Sequence, residues 1–197
     1  MDLIYKLTKM FRGFPGIGER QAKRFVYYLL NEDEKKLKEL AATILELKKE
    51  VSQCRSCFRF SGGKNEICDL CRAAKEKKVL IVVEKDADLE VFRKADFDGK
   101  FFVLGGTIPV LEKEIPKNIK LKELLDKLGK ENIEEVILAF SLTPLGEHTL
   151  EYVKKAVAAV AKEKNIKISG LGRGLSSGLE LEYSDSETLL GALKNRY

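Results

Sequence analysis

Apolar residues recur at helical spacing through the first fifty positions of the chain. The first run consists of Leu3, Leu7, Met10 and Phe11, and the second of Ala22, Phe25, Val26, Leu29 and Leu30. Residues 13–18, which are rich in glycine, separate the two runs, and a third helical pattern covers residues 33–51. Because this spacing places apolar side chains on one face of a helix, the sequence predicts a hairpin of two helices followed by a third amphipathic helix.

Beyond residue 78, short segments that are apolar throughout alternate with helical patterns. Strands are predicted at residues 79–83, 101–104, 136–140 and 166–169, and helices at residues 88–94, 121–128 and 150–161. A strand that is buried on both faces is apolar at every position, and strands separated by helices usually pair in parallel. The sequence therefore predicts an α/β fold with an open, mostly parallel sheet and flanking helices.

The C-terminal segment has a different composition. Residues 170–178 contain four glycines and two serines, which indicates an arm outside the core of the sheet. The following Ser184-Asp185-Ser186-Glu187 resembles a capping box, in which a serine and a glutamate three residues later cap the start of a helix. A last helix is predicted there.

Charge and hydropathy add little about function. Charged residues make up 34% of the chain and the formal net charge is +5, which favours an acidic partner but is common in other proteins. No apolar run approaches the ~20 residues that span a bilayer, and the first residues have neither the basic opening nor the cleavage site of a signal peptide. We expect a folded, cytoplasmic protein without a membrane contact.

Four cysteines carry the strongest chemical signal in the sequence. Cys54 and Cys57 form one pair, Cys68 and Cys71 form another, and ten residues separate the pairs. Two such turns supply the tetrahedral sulfur ligands that zinc prefers, and they leave no position for a substrate water. The alternatives are two disulfides or four free thiols. We expect one structural Zn²⁺ per chain, without which residues 52–73 would unfold.

The glycine-rich turn of the N-terminal hairpin is a candidate site for DNA. In Phe14-Pro15-Gly16-Ile17-Gly18, Gly16 and Gly18 allow the close approach of a backbone, and the amide groups that begin the second helix can face a phosphate. Arg20, Lys23 and Arg24 follow in the first turns and could contact the same backbone without reading its sequence. The alternative is an ordinary helix hairpin with a solvated basic face.

These motifs, in this order, resemble the bacterial recombination mediators of the RecR family. The resemblance includes the hairpin motif with Ala22 and Arg24, the four cysteines, Val82-Val83-Glu84 and Gly146-Glu147. The segment from Arg173 to Tyr183 is similar to the closing segment of that family. The likeness covers nearly the whole chain.

The resemblance implies a helix-hairpin-helix, a four-cysteine zinc finger, a Toprim domain and a C-terminal arm that is exchanged between subunits. The expected regions are 1–52 for the helical N-terminal region, 53–76 for the zinc finger, 77–170 for the Toprim-like domain and 171–197 for the arm and last helix. Family members form ring-like tetramers that clamp DNA, and they are not known as enzymes. They act with RecO and RecF to load RecA onto single-stranded or gapped DNA after DNA damage.

Two segments depart from the family pattern. Residues 140–144 read Phe-Ser-Leu-Thr-Pro where family members often have Ala-Thr-Asn-Pro, and residues 175–178 read Leu-Ser-Ser-Gly where Pro-Val-Gly-Gly is usual. The affinity for partner proteins could differ as a result.

The acidic residues of the α/β region raise the possibility of catalysis. Glu84 ends the first predicted strand and Glu147 precedes a helix, so both lie where α/β proteins place their ligands. Active Toprim enzymes add an Asp-x-Asp pair near the position that Ser141 to Thr143 occupy here, and no carboxylate is present there. Asp86 and Asp88 have that spacing but lie at the start of a helix, where capping is the expected role for one of them.

We therefore predict no catalytic residue and assign Glu84, Glu147 and the single histidine, His148, to a protein-binding surface that includes a RecO contact. A metal-dependent nuclease or primase of the Toprim type is the alternative, because a partial set of carboxylates is present. A third possibility is a zinc-ribbon adaptor that binds only protein. The basic residues at the start of the second predicted helix would then have no role.

Overall fold

A computed structural model of the chain describes residues 2–63, 65–111, 114–172, 174–175, 178 and 180–195. The chain forms two compact units, Met1–Val51 and Ser52–Tyr197. Within the described residues no helix is both long enough and apolar enough to cross a membrane.

The first unit is helical. It contains α1 (Leu3–Arg12), α2 (Glu19–Leu30) and α3 (Glu34–Glu50). The carboxylates of Asp2 and Asp33 cap α1 and α3 by accepting hydrogen bonds from backbone amides of the first turns. Helices α1 and α2 pack through the rings of Phe11 and Phe25, whose centroids are 5.7 Å apart, whereas α3 contains no buried residue.

The second unit begins with a small module that carries the cysteines. Its elements are β1 (Val51–Gln53), β2 (Phe60–Gly62) and the short helix α4 (Asp69–Ala73). The two strands pair with each other. These three elements were not predicted from the sequence, because strands of three residues and a five-residue helix are too short to show a period.

The rest of the second unit is an α/β fold, as predicted. The strands are β3 (Val79–Val83), β4 (Lys100–Val103), β5 (Glu135–Ala139) and β6 (Lys167–Gly170), and the helices between them are α5 (Asp86–Lys94), α6 (Leu121–Lys130) and α7 (Pro144–Lys164). All four strands are parallel, in the order β4-β3-β5-β6. Each observed strand lies within one residue of its predicted position.

Successive residues of the strands point to opposite faces of the sheet, and both faces are covered. On one face Leu80, Val82 and Phe102 pack with apolar residues of α6 and α7. On the other face Ile81 and Val83 pack with Leu89 of α5. Burial on both faces explains the unbroken apolar run of Val79–Val83 in β3, since a strand with one wet face would alternate.

Helix α7 begins six residues before its predicted start. Thr143 caps the helix by accepting a hydrogen bond from the amide of Gly146 at 3.1 Å, and Pro144 occupies the first turn. Proline is well tolerated there because its missing N–H has no partner in a helix start. Residues 144–149 contain a proline, a glycine and a single large apolar residue, Leu145, so the spacing of apolar residues did not indicate this first turn.

A short 3₁₀ turn (Leu181–Tyr183) and α8 (Ser186–Lys194) follow the sheet. The expected capping box was wrong in its register, because Asp185 is the residue that caps α8, through a hydrogen bond from the amide of Thr188 to its carboxylate at 2.8 Å. The hydroxyl group of Ser184 is buried without a hydrogen bond to any described residue. Arg173, Ser176 and Ser177 of the glycine-rich arm lie outside the described residues.

Candidate metal centre and candidate nucleic-acid interface

The backbone of the small module brings the four cysteines together. Cys54 and Cys57 lie on a turn that follows β1, closed by a hydrogen bond from the amide of Phe58 to the carbonyl of Cys54 at 2.9 Å. Phe58 adopts a left-handed conformation with φ of 60°, which reverses the chain towards β2. Cys68 caps α4 and Cys71 lies within it. The turn therefore presents the sulfur atoms of Cys54 and Cys57, and the start of α4 presents those of Cys68 and Cys71.

The geometry of the sulfur atoms fits a tetrahedral metal ion. All four Sγ atoms lie within 4.8 Å of one another. The Sγ atoms of Cys57 and Cys68 are 3.6 Å apart and those of Cys54 and Cys71 are 3.9 Å apart. A zinc ion with Zn–S bonds of ~2.3 Å places its sulfur ligands about 3.8 Å apart, whereas a disulfide requires ~2.05 Å. The cluster therefore has the dimensions of a four-thiolate metal site.

Backbone amides also support this centre. The amides of Ser56 and Cys68 point at the sulfur of Cys54, at 3.4 and 3.3 Å. Such hydrogen bonds stabilise the thiolate form and fix the ligand in place. Cys54 and Cys57 are fully buried, so the centre is closed to solvent on the side of the first pair.

The pKa values of the thiols indicate that they compete for ionisation. A hydrogen bond with Cys57 lowers the pKa of Cys71 to about 5, against an opposing effect of burial. The same contact with Cys71, together with burial, raises the pKa of Cys57 strongly. Adjacent thiols cannot all ionise unless a cation compensates their charge, and a divalent metal ion would supply that compensation.

The glycine turn of the first unit is open on its outer side. Gly16 has φ of 76°, a left-handed conformation that favours glycine. A side chain added at Gly16 or Gly18 would meet no atom within 4 Å, so the backbone is accessible at both positions. Ile17 is half-buried, and its amide donates to the carbonyl of Phe14 at 3.1 Å. Gly18 caps α2 through its backbone alone.

The basic residues of α2 are exposed beside this turn. Arg20, Lys23 and Arg24 all have exposed side chains. Arg24 Nη1 donates to Gln21 Oε1 at 3.4 Å, which is a weak contact, and Arg20 forms no ion pair with a described residue. Two of the three cations are thus available for an external anion.

Sequence analysis missed an acidic residue within this basic face. Glu19, the first residue of α2, forms an ion pair with Lys23 at 2.9 Å and a longer one with Arg12 at 3.8 Å. The i, i+4 spacing of Glu19 and Lys23 could have revealed the first pair, because such residues are neighbours on a helix. Arg12 comes from α1, so its contribution required the packing of the hairpin.

At the carboxyl edge of the sheet, the carboxylate of Glu84 already has a hydrogen-bond partner within the protein. Its side chain follows β3, is only 6% exposed, and accepts a hydrogen bond from the amide of Ser141 at 2.8 Å. Ser141 follows β5, the neighbour of β3. The order of the strands reverses between β3 and β5, which is where open α/β sheets usually bind ligands. In this chain the hydrogen bond from the amide of Ser141 to Glu84 joins the ends of β3 and β5 at this position.

Asp86 and Asp88 also have internal partners. Asp86 accepts a hydrogen bond from the amide of Phe60 in β2 at 2.7 Å, and Asp88 accepts one from the amide of Lys85 at the start of α5 at 3.1 Å. Asp88 therefore has the capping role that the sequence predicted for one of the two. Asp86 instead joins α5 to the cysteine module.

Glu147 and His148 lie in the first turn of α7, where both side chains are half-buried. The imidazole of His148 lies against the ring of Tyr152, with a centroid distance of 6.4 Å. Of all the histidine, cysteine and acidic residues that the structure describes, the four cysteines are the one group of three or more that could hold a metal ion. Glu84, Asp86, Asp88 and Glu147 do not converge on a common point of this kind.

Comparison with known families matches both units. Residues 4–48 match the RecR helix-hairpin-helix family, and residues 78–171 match the Toprim domain family. A curated Recombination protein RecR of Chloroherpeton thalassium is 36% identical over 98% of this chain and 95% of its own length. The chain belongs to the RecR family. The corresponding proteins of Lactobacillus helveticus and Legionella pneumophila subsp. pneumophila are 32% and 33% identical, over 98% and 100% of this chain and 96% of their own lengths.

The two matched ranges contain the candidate residues for DNA and for protein partners, but they do not contain the cysteines. The RecR hairpin match contains the glycine turn with Arg20, Lys23 and Arg24, and the Toprim match contains Glu84 and Glu147. The four cysteines fall between the two matched ranges. Their assignment as a metal centre therefore rests on the sulfur geometry, while the RecR relatives align across this region as part of nearly the whole chain.

Proposed function

We propose that this RecR-family protein is a non-catalytic DNA-binding protein that acts in recombinational DNA repair. The observation that carries the proposal is the hairpin of the first unit, in which an open glycine turn precedes a helix start with exposed arginines. Curated relatives of nearly the same length are named recombination proteins. The proposed function therefore rests on the name of these relatives and on the chemistry of the hairpin.

The hairpin would bind the phosphate backbone of DNA. Gly16 and Gly18 let a phosphate approach the main chain, and the free amides at the start of α2 provide donors at the positive end of the helix dipole. Arg20 and Arg24 add charge-assisted hydrogen bonds, and Lys23 contributes a third positive charge once it leaves Glu19. Contacts of this kind hold DNA irrespective of its base sequence.

The four cysteines would hold one structural Zn²⁺. Sulfur ligands, tetrahedral spacing and burial favour zinc over harder cations such as Mg²⁺, which require oxygen ligands. When bound, the ion cross-links the turn that follows β1 to α4 and so stabilises a module with little apolar core of its own. All four ligand positions are filled by Cys54, Cys57, Cys68 and Cys71.

The Toprim-like lobe would recruit protein partners instead of performing phosphoryl transfer. Glu84 is buried and hydrogen-bonded, so we assign it an indirect role in holding the loop that leads into α7. Glu147 and His148, at the start of that helix, are the residues we assign to a partner contact. By resemblance the partners are RecO and RecF, which assist the loading of RecA onto single-stranded or gapped DNA.

We also propose that the protein assembles into a homo-oligomer, a dimer or a ring-like tetramer. Large apolar side chains of the first unit are exposed, among them Leu40, Ile44, Leu45 and Leu47 of α3. Apolar surface of this extent marks an association site in a folded protein. Light scattering of the purified protein with and without DNA would give the number of subunits.

The DNA assignment is tested by the double substitution Arg20→Ala with Arg24→Ala. Affinity should fall to a similar extent on DNA of different sequences, because the lost contacts are to phosphates. The slope of log K against log salt concentration should decrease by about 0.9 for each lost contact with a duplex phosphate. Filter binding or fluorescence anisotropy across a salt series measures both quantities.

The matched control removes two other exposed charges, Lys35→Ala with Lys49→Ala on α3, so that the net charge changes equally. This variant should retain affinity and slope. Equal losses in both double variants would show that only net charge matters, and unchanged binding in the arginine variant would contradict the assignment of the hairpin. A cleavage assay with Mg²⁺ or Mn²⁺ on the same preparations tests the alternative of a Toprim nuclease.

A further inference from the structure

A buried cluster of charged residues lies next to the cysteine module, and the proposed function gives it no role. Lys127 of α6 and Lys100 of β4 both donate to Glu131, each with a distance of 2.6 Å. The side chains of Lys127 and Lys100 are only 7% and 14% exposed. Buried ammonium groups are costly and are retained only with partners of good geometry.

Lys127 reaches from this cluster to the cysteine module. Its Nζ donates a hydrogen bond to the hydroxyl group of Ser56 at 2.9 Å, across 71 positions of sequence. Ser56 lies between Cys54 and Cys57, and its amide points at the sulfur of Cys54. Lys127, Lys100 and Glu131 line one cleft of about 400 Å³ together with Ser56 and Cys71. The charged cluster and the cysteine centre are therefore neighbours in space.

Ser56 links Lys127 to a cysteine. The oxygen of Ser56 accepts from Lys127, and the amide of the same residue donates to the sulfur of Cys54 at 3.4 Å. Because Ser56 lies between Cys54 and Cys57, the contact with Lys127 holds the turn that carries both cysteines. Two hydrogen bonds thus connect Lys127 through Ser56 to the sulfur of Cys54.

The charges of the two groups are complementary. Two ammonium groups share one carboxylate, so the buried cluster keeps an excess positive charge. Burial raises the pKa of Glu131, but the hydrogen bonds from Lys100 and Lys127 lower it by more, so the carboxylate is ionised at neutral pH. A zinc ion bound by four thiolates carries a formal charge of about −2. Burying such a centre is less costly beside a fixed cation.

We propose that Lys127, held in place by Glu131 and Lys100, is a positioning and charge-compensating residue for a metal ion at Cys54, Cys57, Cys68 and Cys71. It holds Ser56, whose amide donates to the sulfur of Cys54, and offsets the negative charge of the thiolates. This inference rests on the proposed zinc centre and adds the contacts that hold the turn with Cys54 and Cys57 in place. Retention of the metal ion would thereby depend on a residue of the Toprim-like lobe.

The test compares Lys127→Met with Lys122→Met in the full-length, zinc-loaded protein. Both substitutions replace a lysine of α6 by a side chain of similar length, but Lys122 is exposed. Transfer of zinc to the chelator 4-(2-pyridylazo)resorcinol gives an apparent affinity for each chain. Loss of an outer-shell partner weakens metal binding by about 10-fold or more, so we expect that change for Lys127→Met and none for Lys122→Met.

A second readout separates positioning from general stability. In the Co²⁺-substituted protein the sulfur-to-metal charge-transfer band should move to longer wavelength in Lys127→Met, because thiolates that lose a donor and a nearby cation are easier to oxidise. Ser56→Ala should shift the band in the same direction. Lys127→Arg, which keeps charge and donors, should restore most of the affinity and the band position.

Three outcomes would overturn the inference or its basis. If Lys127→Met and Lys122→Met have the same apparent affinity for zinc and the cobalt band is unchanged, Lys127 has no role at the centre. The proposed zinc centre itself would not be contradicted by that result. If the effects of Ser56→Ala and Lys127→Met on affinity simply add, the two residues do not act through one contact and the link through Ser56 is wrong. If the unsubstituted chain takes up no metal, the zinc proposal and this inference fail together.

Discussion

Glu19 shows how one side chain can limit a binding site that other residues create. Its carboxylate is the first acidic group of α2 and lies among Arg12, Lys23 and the free amides of the helix start. The hydrogen bond from Lys23, followed by the charges of Lys23 and Arg12, lowers the pKa of Glu19, so the group is ionised at neutral pH. A phosphate that approaches the glycine turn must compete with this internal anion.

Replacing Glu19 by Gln should therefore strengthen the binding of DNA. Lys23 and Arg12 lose an internal partner and become available to phosphate, and the repulsion between carboxylate and phosphate disappears. Affinity should rise by a factor of several at low salt, and the dependence on salt should become steeper. Fluorescence anisotropy with a labelled oligonucleotide measures both effects.

Glu34→Gln is the control for this prediction. Glu34 also begins a helix and also pairs with a lysine four residues later, Lys38 at 2.7 Å, but it lies on α3. Both substitutions raise the net charge by one. A rise in affinity that is equal in the two variants would show that Glu19 has no special position.

Gly146 is a second residue whose identity the structure explains. A side chain added there would place its first carbon 2.1 Å from the carbonyl oxygen of Ser141 and 3.1 Å from Glu84 Oε1. Only glycine lets the start of α7 lie this close to the loop after β5. The contact between Glu84 and Ser141 depends on the same close approach.

Gly146→Ala should lower the free energy of unfolding by about 1–3 kcal/mol, the usual cost of forcing an extra carbon into a packed site. Gly129→Ala is the matched control, because it lies in α6 with no atom within 4 Å of the added carbon. That variant should gain about 0.5–1 kcal/mol through the higher helix propensity of alanine. Urea unfolding of the two variants should give changes of opposite sign, and a neutral Gly146→Ala would contradict the packing described here.

At the scale of elements, the end of α6 should make stability depend on pH. The pKa of Glu131 is lowered from its ordinary value of 4.5 by Lys100 and Lys127 in spite of burial. A carboxyl group whose pKa is lowered by folding stabilises the folded state in its ionised form. That contribution is fully present above the ordinary pKa and is lost as the pH falls through the lower, folded-state pKa.

Glu131→Gln should accordingly be less stable than the unsubstituted protein at neutral pH, and the difference should shrink as the pH falls below about 4.5. Glu134→Gln removes an exposed ion pair with Lys78 and should change stability little at any pH. Urea unfolding in one series of buffers compares the three chains. If the difference in free energy of unfolding between Glu131→Gln and the unsubstituted protein stays constant with pH, the role of Glu131 is contradicted.

The elements also show what a sequence can and cannot reveal. The four strands of the sheet were predicted within one residue, and the clearest signal was the unbroken apolar run that burial on both faces leaves at Val79–Val83. The cluster of four cysteines was predicted from spacing alone, since two such pairs can meet around one ion. By contrast, the contact of Glu84 with Ser141 joins residues 57 positions apart, and that of Lys127 with Ser56 joins residues 71 apart. No local pattern encodes such contacts.

At the scale of the whole molecule, the two units differ in how they bury apolar surface. The second unit encloses a sheet with a core on each face. In the first unit the buried residues are Thr8, Ala22 and Val26 among those that the structure describes, and many large apolar side chains remain exposed. A helical unit of this kind is marginal by itself, so the proposed assembly would stabilise it as well as build a clamp.

Removal of the proposed metal ion should loosen the cysteine module and leave the sheet intact. Backbone hydrogen bonds of the module, such as those from the amides of Cys54 to Arg59 and of Arg55 to Glu66, at 2.9 Å each, should lose protection against hydrogen exchange after chelation. Amides of β3 should stay protected, because their strand is buried in a core that contains no cysteine. Mass spectrometry of the exchanged protein measures both regions.

Readdition of one equivalent of Zn²⁺ should restore the protection, and native mass spectrometry should then show one ion per chain. Protection that persists in the chelated protein would mean that the module folds without the ion. Loss of protection throughout β3 would mean instead that the ion holds the whole second unit together.

The carbonyl of Cys57 accepts a hydrogen bond from the amide of Val103 at 2.8 Å. Val103 belongs to β4, the outermost strand of the sheet on that side, and outermost strands with free amides attract strands of other molecules. The cysteine turn thus shields this border of the sheet from foreign chains. If the proposed zinc ion holds this turn in place, its loss would uncover the border of the sheet and favour aggregation through β4.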